Sequence, residues 1–301
     1  MAPLISPGSR SPGTTGAASA GRHGEKGGSV RGPWRAGSRA QGRGHHVLAD
    51  EFAAYALLWS DEFDGPAGAP ADARAWQADI GGAGWGNQEL QYYTDGTGNA
   101  ALDGDGHLAI VAREADPHVD GHRYDGCGYT SARLTSKDQV SFRYGLVAAR
   151  IKVPRARGIW PAFWMLGQDF DVTGWPRCGE IDIMEYFGTG PAVIHGAAHG
   201  PGYTGGAGIS GSRTVGSSLG HDFHVYSVAW EATRIRWYIN GKLYHTVTPG
   251  DLRGKRWVFD HDFFLLLNVA VGGVASQNPG RSVRFPQTML IDYVRVYTPG
   301  G

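Results

Sequence analysis

Short segments in which apolar and polar residues alternate recur along most of this chain, and helical periodicity appears nowhere at length. Alternation with a period of two is typical of β-strands, because successive side chains of a strand point to opposite faces. Gly- and Asp-rich turns separate the segments, and Asn240-Gly241 is a strong hairpin signal. The many short strands predict an all-β protein with the architecture of a β-sandwich.

The same signals assign two segments whose boundaries matter for a binding cleft. Residues 129–137 are predicted to form one strand. The Gly- and Ser-rich residues 205–220 are predicted to form a loop that influences the width of a cleft.

Composition separates an N-terminal extension from a globular domain. Residues 1–50 are rich in Gly, Ser, Ala, Pro and Arg, so we predict that they are disordered and that the domain spans residues 51–301. A solvated linker, or an upstream extension from a mis-assigned start, explains them better than a tail that binds something anionic. They contain no readable signal peptide, and no apolar run in the chain reaches the roughly 18 residues of a membrane span.

The amino-acid counts describe a globular protein with no obvious anionic partner. Residues that are hydrophobic make up 41% of the chain, which is enough for a core, and 48 glycines accompany 10 tryptophans and 13 tyrosines. The 28 basic and 28 acidic residues are unevenly placed: residues 1–50 hold seven and two, which leaves 21 and 26. A slightly acidic domain does not suggest nucleic acid or an anionic membrane surface as a partner.

Three carboxylates lie within six residues at Glu180, Asp182 and Glu185. In a strand, the first two share a face, whereas the third comes one residue late. An extra residue at Ile183-Met184, a β-bulge, would return Glu185 to the acidic face, and bulges are common beside active sites.

Two glutamates leaning toward each other could approach the roughly 5–5.5 Å carboxyl separation of a retaining glycosidase, with Asp182 between them to separate their pKa values. An edge strand with solvated acids is the simpler alternative, and three acids on one face flanked by tryptophans make it less favoured.

Other side chains are placed to line a cleft beside these acids. Trp160 and Trp164 share a strand face and suggest a platform for stacking sugars, against the alternative of ordinary core packing. His195 and His199 also share a face, but their spacing suits metal ligands on a helix, so we expect His199 to contact substrate or to support an acid. Cys127 is compatible with a disulfide to Cys178 and equally with a free thiol.

The chain resembles glycoside hydrolase family 16 over about residues 57–298. The motifs that carry the resemblance are Gly84-Trp85-Gly86-Asn87, Ser131-Ala132-Arg133-Leu134, Trp160-Pro161-Ala162-Phe163-Trp164-Met165, Glu180-Ile181-Asp182-Ile183-Met184-Glu185 and Ile291-Asp292-Tyr293-Val294-Arg295-Val296-Tyr297. The resemblance implies a jelly-roll β-sandwich of the concanavalin A-like type, with two curved antiparallel sheets and a concave substrate cleft. The bulged acidic motif resembles the laminarinase branch, whose members hydrolyse β-1,3-glucan with some action on mixed β-1,3/1,4-glucan.

The resemblance also implies roles for individual residues. Glu180 would be the nucleophile, Glu185 the general acid/base and Asp182 their support. The sugar subsites would be lined by Asn87, Arg133, Trp160, Trp164 and His199.

No cofactor is required by this chemistry, and the resemblance implies a structural calcium site formed by the Asp292 side chain with groups near Glu62 and Gly104. It further implies a monomer that acts on β-glucan outside the cell. A non-catalytic β-glucan-binding protein on the same fold is the alternative, and it would need the tryptophans without needing both glutamates.

Overall fold

The computed structural model describes residues 52–53, 55–116, 124–188, 192–216 and 219–300. The extension predicted to be disordered, residues 1–50, lies outside these ranges, so the proposed domain boundary at residue 51 stays a prediction.

The described residues form eighteen strands, one short α-helix and three 3₁₀ turns. The strands are β1 (Tyr55–Asp61), β2 (Gln77–Asp79), β3 (Gln91–Tyr93), β4 (Ala100–Leu102), β5 (Leu108–Glu114), β6 (Tyr129–Ser131), β7 (Arg133–Thr135), β8 (Ser141–Phe142), β9 (Gly145–Lys152), β10 (Ile159–Gly167), β11 (Glu180–Glu185), β12 (Val193–His199), β13 (Ile209–Thr214), β14 (His224–Glu231), β15 (Arg234–Ile239), β16 (Lys242–Val247), β17 (Phe263–Val271) and β18 (Gln287–Pro299). Helix α1 is Phe170–Thr173, and the 3₁₀ turns are Ala83–Gly86, Gly205–Ala207 and Pro249–Leu252. None of the helices in the described ranges is long and apolar enough to cross a membrane.

The strands build two sheets, which confirms the predicted all-β sandwich. A ten-stranded sheet runs in the order β16-β15-β14-β9-β18-β5-β6-β3, with β1 on β18 and β4 on β5. An eight-stranded sheet runs in the order β13-β12-β11-β10-β17-β7-β2, with β8 on β17. All pairs between these strands are antiparallel except β3 with β6. Large side chains from both sheets meet in one hydrophobic core.

The hairpin predicted at Asn240-Gly241 is present between β15 and β16. Both residues have positive φ, 50° and 72°, as a two-residue turn of this type requires. Asn240 Oδ1 also accepts a hydrogen bond from the Val225 amide at 2.9 Å, which ties the turn to β14.

Two segment predictions were wrong. Residues 129–137 form two strands in different sheets, β6 and β7, and the chain crosses between the sheets at the fully buried Ala132. Because residues 130–135 are buried throughout, their pattern carries no sign of the crossing. Residues 205–220 are not a loop throughout, since β13 forms the edge of the eight-stranded sheet by pairing with β12. Backbone hydrogen bonds make this pairing, so its Gly- and Ser-rich composition does not prevent it.

The centre of the eight-stranded sheet positions the acidic residues. Strand β10 lies between β11 and β17, and all three contribute to the core with one face. Along β10, Phe163 and Met165 are fully buried in the core, as the period of two predicts. The opposite face of the same strand presents Trp160 and Trp164 to a cleft.

Candidate active site

The predicted bulge is present in β11. On the β12 side, the two residues between Asp182 and Glu185 oppose the single residue Gly196. These two residues, Ile183 and Met184, are both fully buried in the core between the sheets. Burial of each contributes roughly 1.5–3 kcal/mol, so the bulge is held by the core beneath it. Alternation resumes one residue later, and Glu185 emerges on the same face as Asp182.

The acidic face of β11 forms part of a cleft of about 510 Å³. The cleft is lined by four carboxylates, three tryptophans, two asparagine amides, one guanidinium group and one alanine. Its lining residues are Trp85, Asn87, Glu89, Arg133, Trp160, Ala162, Trp164, Glu180, Asp182, Glu185 and Asn268. Carboxylates beside aromatic rings in one concave site are suited to binding and cleaving a carbohydrate.

Each glutamate accepts a hydrogen bond from a different tryptophan. The Trp175 indole N–H donates to Glu180 Oε2 at 2.7 Å, and the Trp160 indole N–H donates to Glu185 Oε1 at 3.0 Å. Burial, and next the charge of Asp182, raise the pKa of Glu180 to about 8 and hold the pKa of Glu185 well above its usual range. Near neutral pH, the pair can therefore retain a proton for transfer to a leaving group.

His199 supports the acids from the neighbouring strand. Its Nε2 lies 3.0 Å from Asp182 Oδ2. Burial lowers the pKa of His199, but the hydrogen bond and charge of Asp182, with the charges of both glutamates, outweigh burial and raise this pKa to about 9. The resulting imidazolium lowers the pKa of Glu180 and of Glu185, and so offsets part of the repulsion among three carboxylates.

The same cluster is the one group of potential metal ligands found among the described residues. Ligand atoms of Glu180, Asp182 and His199 lie within 4.8 Å of one another. A histidine must be neutral to ligate a metal, whereas Asp182 favours the protonated form of His199. The ion-pair arrangement therefore accounts for this cluster without a metal.

Arg133 forms the next part of the cleft. Its guanidinium lies 4.8 Å from the ring centroid of Trp85 and 4.8 Å from that of Trp164, and its Nε donates to Asp79 Oδ2 at 2.9 Å. Trp164 in turn donates its indole N–H to Asn268 Oδ1 at 2.8 Å. The aromatic rings are thus fixed in orientation by a cation–π sandwich and a hydrogen bond.

A second polar network surrounds Glu89. Its carboxylate accepts hydrogen bonds from Asn87 Nδ2 at 3.1 Å, from Gln91 Nε2 at 2.7 Å and from the Tyr93 hydroxyl at 3.3 Å. Burial raises its pKa despite these donors and the charge of Arg133. A buried carboxylate with several fixed donors offers a rigid acceptor to a sugar hydroxyl group.

Comparison with known proteins decides what kind of cleft this is. A sequence model described as Glycosyl hydrolases family 16 matches residues 84–294. The chain belongs to glycoside hydrolase family 16. It is 41% identical over 261 residues to a beta-glucanase of Rhodothermus marinus, and the aligned region covers 83% of this chain and 87% of that protein.

Solved structures agree with the sequence match. The X-ray structure of an endo-β-1,3-glucanase from Pyrococcus furiosus has a TM-score of 0.74 and 42% identity, over 81% of this chain and 94% of that one. The laminarinase catalytic domain of Thermotoga maritima MSB8 has a TM-score of 0.74 and 43% identity, over 81% and 98%. These matches confirm the predicted jelly-roll β-sandwich and the prediction that this family 16 protein is a glycoside hydrolase of the endo-β-glucanase type.

The structure brings most of the predicted site residues of this hydrolase into one cleft. Those that line it are Glu180, Asp182, Glu185, Asn87, Arg133, Trp160 and Trp164. His199 is not among the residues that line this cleft: it lies opposite Glu180 in the register of β11 with β12 and contacts Asp182, so its predicted contact with substrate stays a prediction. His195 packs against the ring of Phe187, with centroids 4.7 Å apart.

Three residues that line the cleft, and one that donates a hydrogen bond to Glu180, were absent from the predicted set. The sequence could have indicated Glu89, because it alternates with Asn87 onto one face of its segment. It could also have indicated Asn268, because this is the polar residue of the otherwise apolar β17. Trp85 stood in a recognised motif without an assigned role, whereas Trp175 lies between α1 and β11 and only the folded chain brings it to Glu180.

Both cysteines are free thiols, which answers the question left open by the sequence. Cys178 is fully buried in an apolar cluster with Trp164, Leu166 and Phe264. Cys127 is partly exposed and packs beneath Gly82, where an added Cβ would lie 2.8 Å from Cys127 Sγ.

The calcium site implied for Asp292, Glu62 and Gly104 stays a prediction, and the contacts of its carboxylates do not fit ligation by both side chains. Asp292 Oδ2 accepts a hydrogen bond from Arg150 Nη1 at 2.6 Å. Both Glu62 oxygens accept hydrogen bonds from Arg295, at 2.9 and 2.8 Å. Calcium needs several oxygen ligands, and guanidinium groups already neutralise these carboxylates.

Proposed function

We propose that this family 16 hydrolase is an endo-acting β-1,3-glucanase that cleaves laminarin-type glucan, with some action on mixed β-1,3/1,4-glucan, and that it retains the anomeric configuration. The observation that carries the proposal is the bulge in β11, because it brings Glu180 and Glu185 to the same cleft face with a tryptophan donor on each. The preference for β-1,3 linkages is supported by relatives whose names describe β-glucanase, endo-β-1,3-glucanase and laminarinase.

The first step assigns a separate task to each glutamate. Glu180 attacks the anomeric carbon as a carboxylate while Glu185 donates its proton to the glycosidic oxygen. The bond between the anomeric carbon and this oxygen breaks, and the released glucan carries the proton. A glycosyl ester on Glu180 remains, and Glu185 is now ionised.

The second step returns both residues to their starting states. Glu185 removes a proton from water as the water oxygen attacks the anomeric carbon, and the ester bond to Glu180 breaks. Two displacements at one carbon leave the configuration unchanged. Throughout both steps, the imidazolium of His199 forms an ion pair with Asp182 and so partly offsets the negative charge beside the two glutamates.

The two proposed roles require different protonation states. Glu180 must be ionised and Glu185 protonated at the start, so activity should appear as pH rises through the pKa of Glu180 and disappear as pH rises through that of Glu185. Both pKa values lie above the ordinary range of a glutamate because the groups are buried.

A reducing-sugar assay on laminarin tests the proposal with the wild type, Glu180→Gln and Glu185→Gln. Both variants should lose at least about a thousandfold in kcat. An aryl β-glucoside oligomer with a good leaving group separates the roles, because protonation by Glu185 is then less needed for the first step. Glu185→Gln should release the aryl group in a burst on this substrate, and Glu180→Gln should not.

Three results would count against the proposal. Wild-type inactivity on laminarin with activity on another polysaccharide would reject the linkage preference. Wild-type rates in either variant would reject its assigned role. A first product of inverted configuration, seen by NMR, would reject a nucleophilic Glu180. A monomeric state and action outside the cell stay predictions.

A further inference from the structure

The bulge in β11 receives a hydrogen bond from the opposite sheet. Trp237 lies on β15 in the ten-stranded sheet and is fully buried. Its side chain extends across the core, and the indole N–H donates a hydrogen bond to the backbone carbonyl of Asp182 at 2.8 Å. This carbonyl is the last one before the two residues that break the alternation.

Gly196 makes the crossing sterically feasible. It is the residue opposed by the two bulged residues, and an added Cβ there would lie 2.4 Å from Trp237 Cδ1 and 2.6 Å from Tyr244 Oη. A side chain at this position would therefore displace the indole. The absence of one lets Trp237 lie directly over the strand that pairs with the bulge.

We propose that Trp237 is a positioning residue for catalysis: its indole N–H holds the Asp182 carbonyl, and so fixes the strand register from which Glu185 emerges into the cleft. Trp237 does not line the cleft. It acts through the backbone of β11. Its ring packs against the ring of His245 on β16, with the two centroids 4.9 Å apart, and this contact helps to hold the indole in place. The inference rests on the proposed role of Glu185 as general acid/base.

The chain offers a matched control for this contact. Trp230, on the adjacent β14, is equally buried, and its indole N–H donates to the backbone carbonyl of Phe259 at 3.0 Å. Replacing either tryptophan by Phe keeps an aromatic ring and removes one N–H donor from a buried carbonyl. Both variants should lose similar thermal stability, whereas Trp237→Phe alone removes a contact to the bulge.

Kinetics should separate the two variants. Trp237→Phe should lower kcat on the best β-glucan substrate about tenfold, which corresponds to one net hydrogen bond, with KM changed less than twofold. Trp230→Phe should keep wild-type kcat and KM. Equal losses of kcat in the two variants, or wild-type kcat in Trp237→Phe, would overturn the proposal.

The pH profile gives a readout that loss of stability alone does not move. The titratable groups that interact with Glu185 are Glu180 and Asp182 on its own strand, His199 on β12 and Tyr244 on β16, and His195 is its register partner on β12. These stay in place in Trp237→Phe, so the change should come from water reaching a loosened bulge. Burial is the main reason why the pKa of Glu185 is high, so the basic limb of the profile should move to lower pH. An unmoved limb with reduced kcat would contradict positioning.

Hydrogen–deuterium exchange tests the contact without relying on activity. The amides of residues 183–185 should exchange about tenfold faster in Trp237→Phe than in the wild type, and at the wild-type rate in Trp230→Phe. If the Gln variants of both glutamates keep wild-type activity, the proposed catalytic roles fail while exchange still decides whether Trp237 holds the bulge. Unchanged exchange in Trp237→Phe would reject that contact.

A second variant covers failure of Trp237→Phe to fold. Gly196→Ala leaves the indole N–H in the protein but places a methyl group where the ring lies. It should show the same loss of kcat and the same faster exchange. Folded Gly196→Ala protein with wild-type kcat and exchange would overturn the proposal.

Discussion

Trp175 donates its indole N–H to Glu180 Oε2 at 2.7 Å, although it stands five residues earlier in a segment that is not part of the sheet. This hydrogen bond favours the ionised form of Glu180 and lowers its pKa, while burial and Asp182 raise it. The charge state of the proposed nucleophile is therefore a balance to which one indole contributes directly.

Replacing Trp175 by Phe should raise the pKa of Glu180 further. A hydrogen bond to a charged group is worth about 1.5–3 kcal/mol, which corresponds to roughly one to two pH units. Glu180 must be ionised to attack, so the acidic limb of kcat/KM should move to higher pH. Trp160→Phe is the matched comparison, because it removes the donor to Glu185 and should move the basic limb instead. Movement of the same limb in both variants would contradict the assignment.

Glu180 should also make the fold less stable as pH rises. Its pKa is about 8 in the folded protein and near 4.5 when unfolded, so the folded state binds the extra proton between these values. Stability contributed by this proton is complete below about pH 4.5 and is lost as pH rises toward 8. When the free energy of unfolding is measured in urea, its decrease between pH 5 and pH 8 should be larger in the wild type than in Glu180→Gln, by on the order of 2–4 kcal/mol. Parallel pH dependence of the two proteins would refute this.

Arg133 should be sensitive even to replacement by Lys. The planar guanidinium lies between Trp85 and Trp164 and binds Asp79, whereas an ammonium group has no plane to stack on both rings. Arg133→Lys should raise KM about fivefold to thirtyfold, equivalent to about 1–2 kcal/mol, with a smaller effect on kcat. Arg143→Lys is the control, since Arg143 contacts the Tyr144 ring outside the cleft. A similar KM in both variants would argue against the stacking role.

The two cysteines should differ strongly toward a thiol reagent. Burial is the main cause that raises the pKa of the Cys178 thiol to about 12, and the side chain has no exposed surface. Cys127 is partly exposed, although burial also raises its pKa. Titration with an aromatic disulfide should therefore modify only the Cys127 thiol, and slowly, in the folded protein. Both thiols should react once the protein is unfolded in urea. Rapid reaction of two thiols in the folded state would contradict the buried position of Cys178.

The acidic strand illustrates how far local sequence reasoning reaches. Glu180 and Asp182 are two residues apart, Glu185 breaks the alternation, and Ile183 and Met184 are apolar. Strand geometry alone then places the extra residue, and the register of β11 agrees. The tryptophan face of β10 is predictable for the same reason, because each residue has only two directions available.

Features that depend on the folded path of the chain could not be predicted in this way. Residues 130–135 are buried on either side of the crossing at Ala132, so their composition does not reveal which sheet they join. The edge strand β13 is defined by backbone pairing rather than by its side chains. The indole of Trp175 reaches Glu180 through the folded path of the chain, and no spacing rule describes that path.

The bulge means that the number of residues between Asp182 and Glu185 decides how far along β11 Glu185 reaches the cleft. Deletion of Ile183 or Met184 would restore simple alternation and move the acid about 3.3 Å along the strand, still on the cleft face. A substitution cannot shorten the strand in this way, whereas deletion of a single codon can. One in-frame deletion could therefore change the geometry of the active site while all three acidic residues are retained.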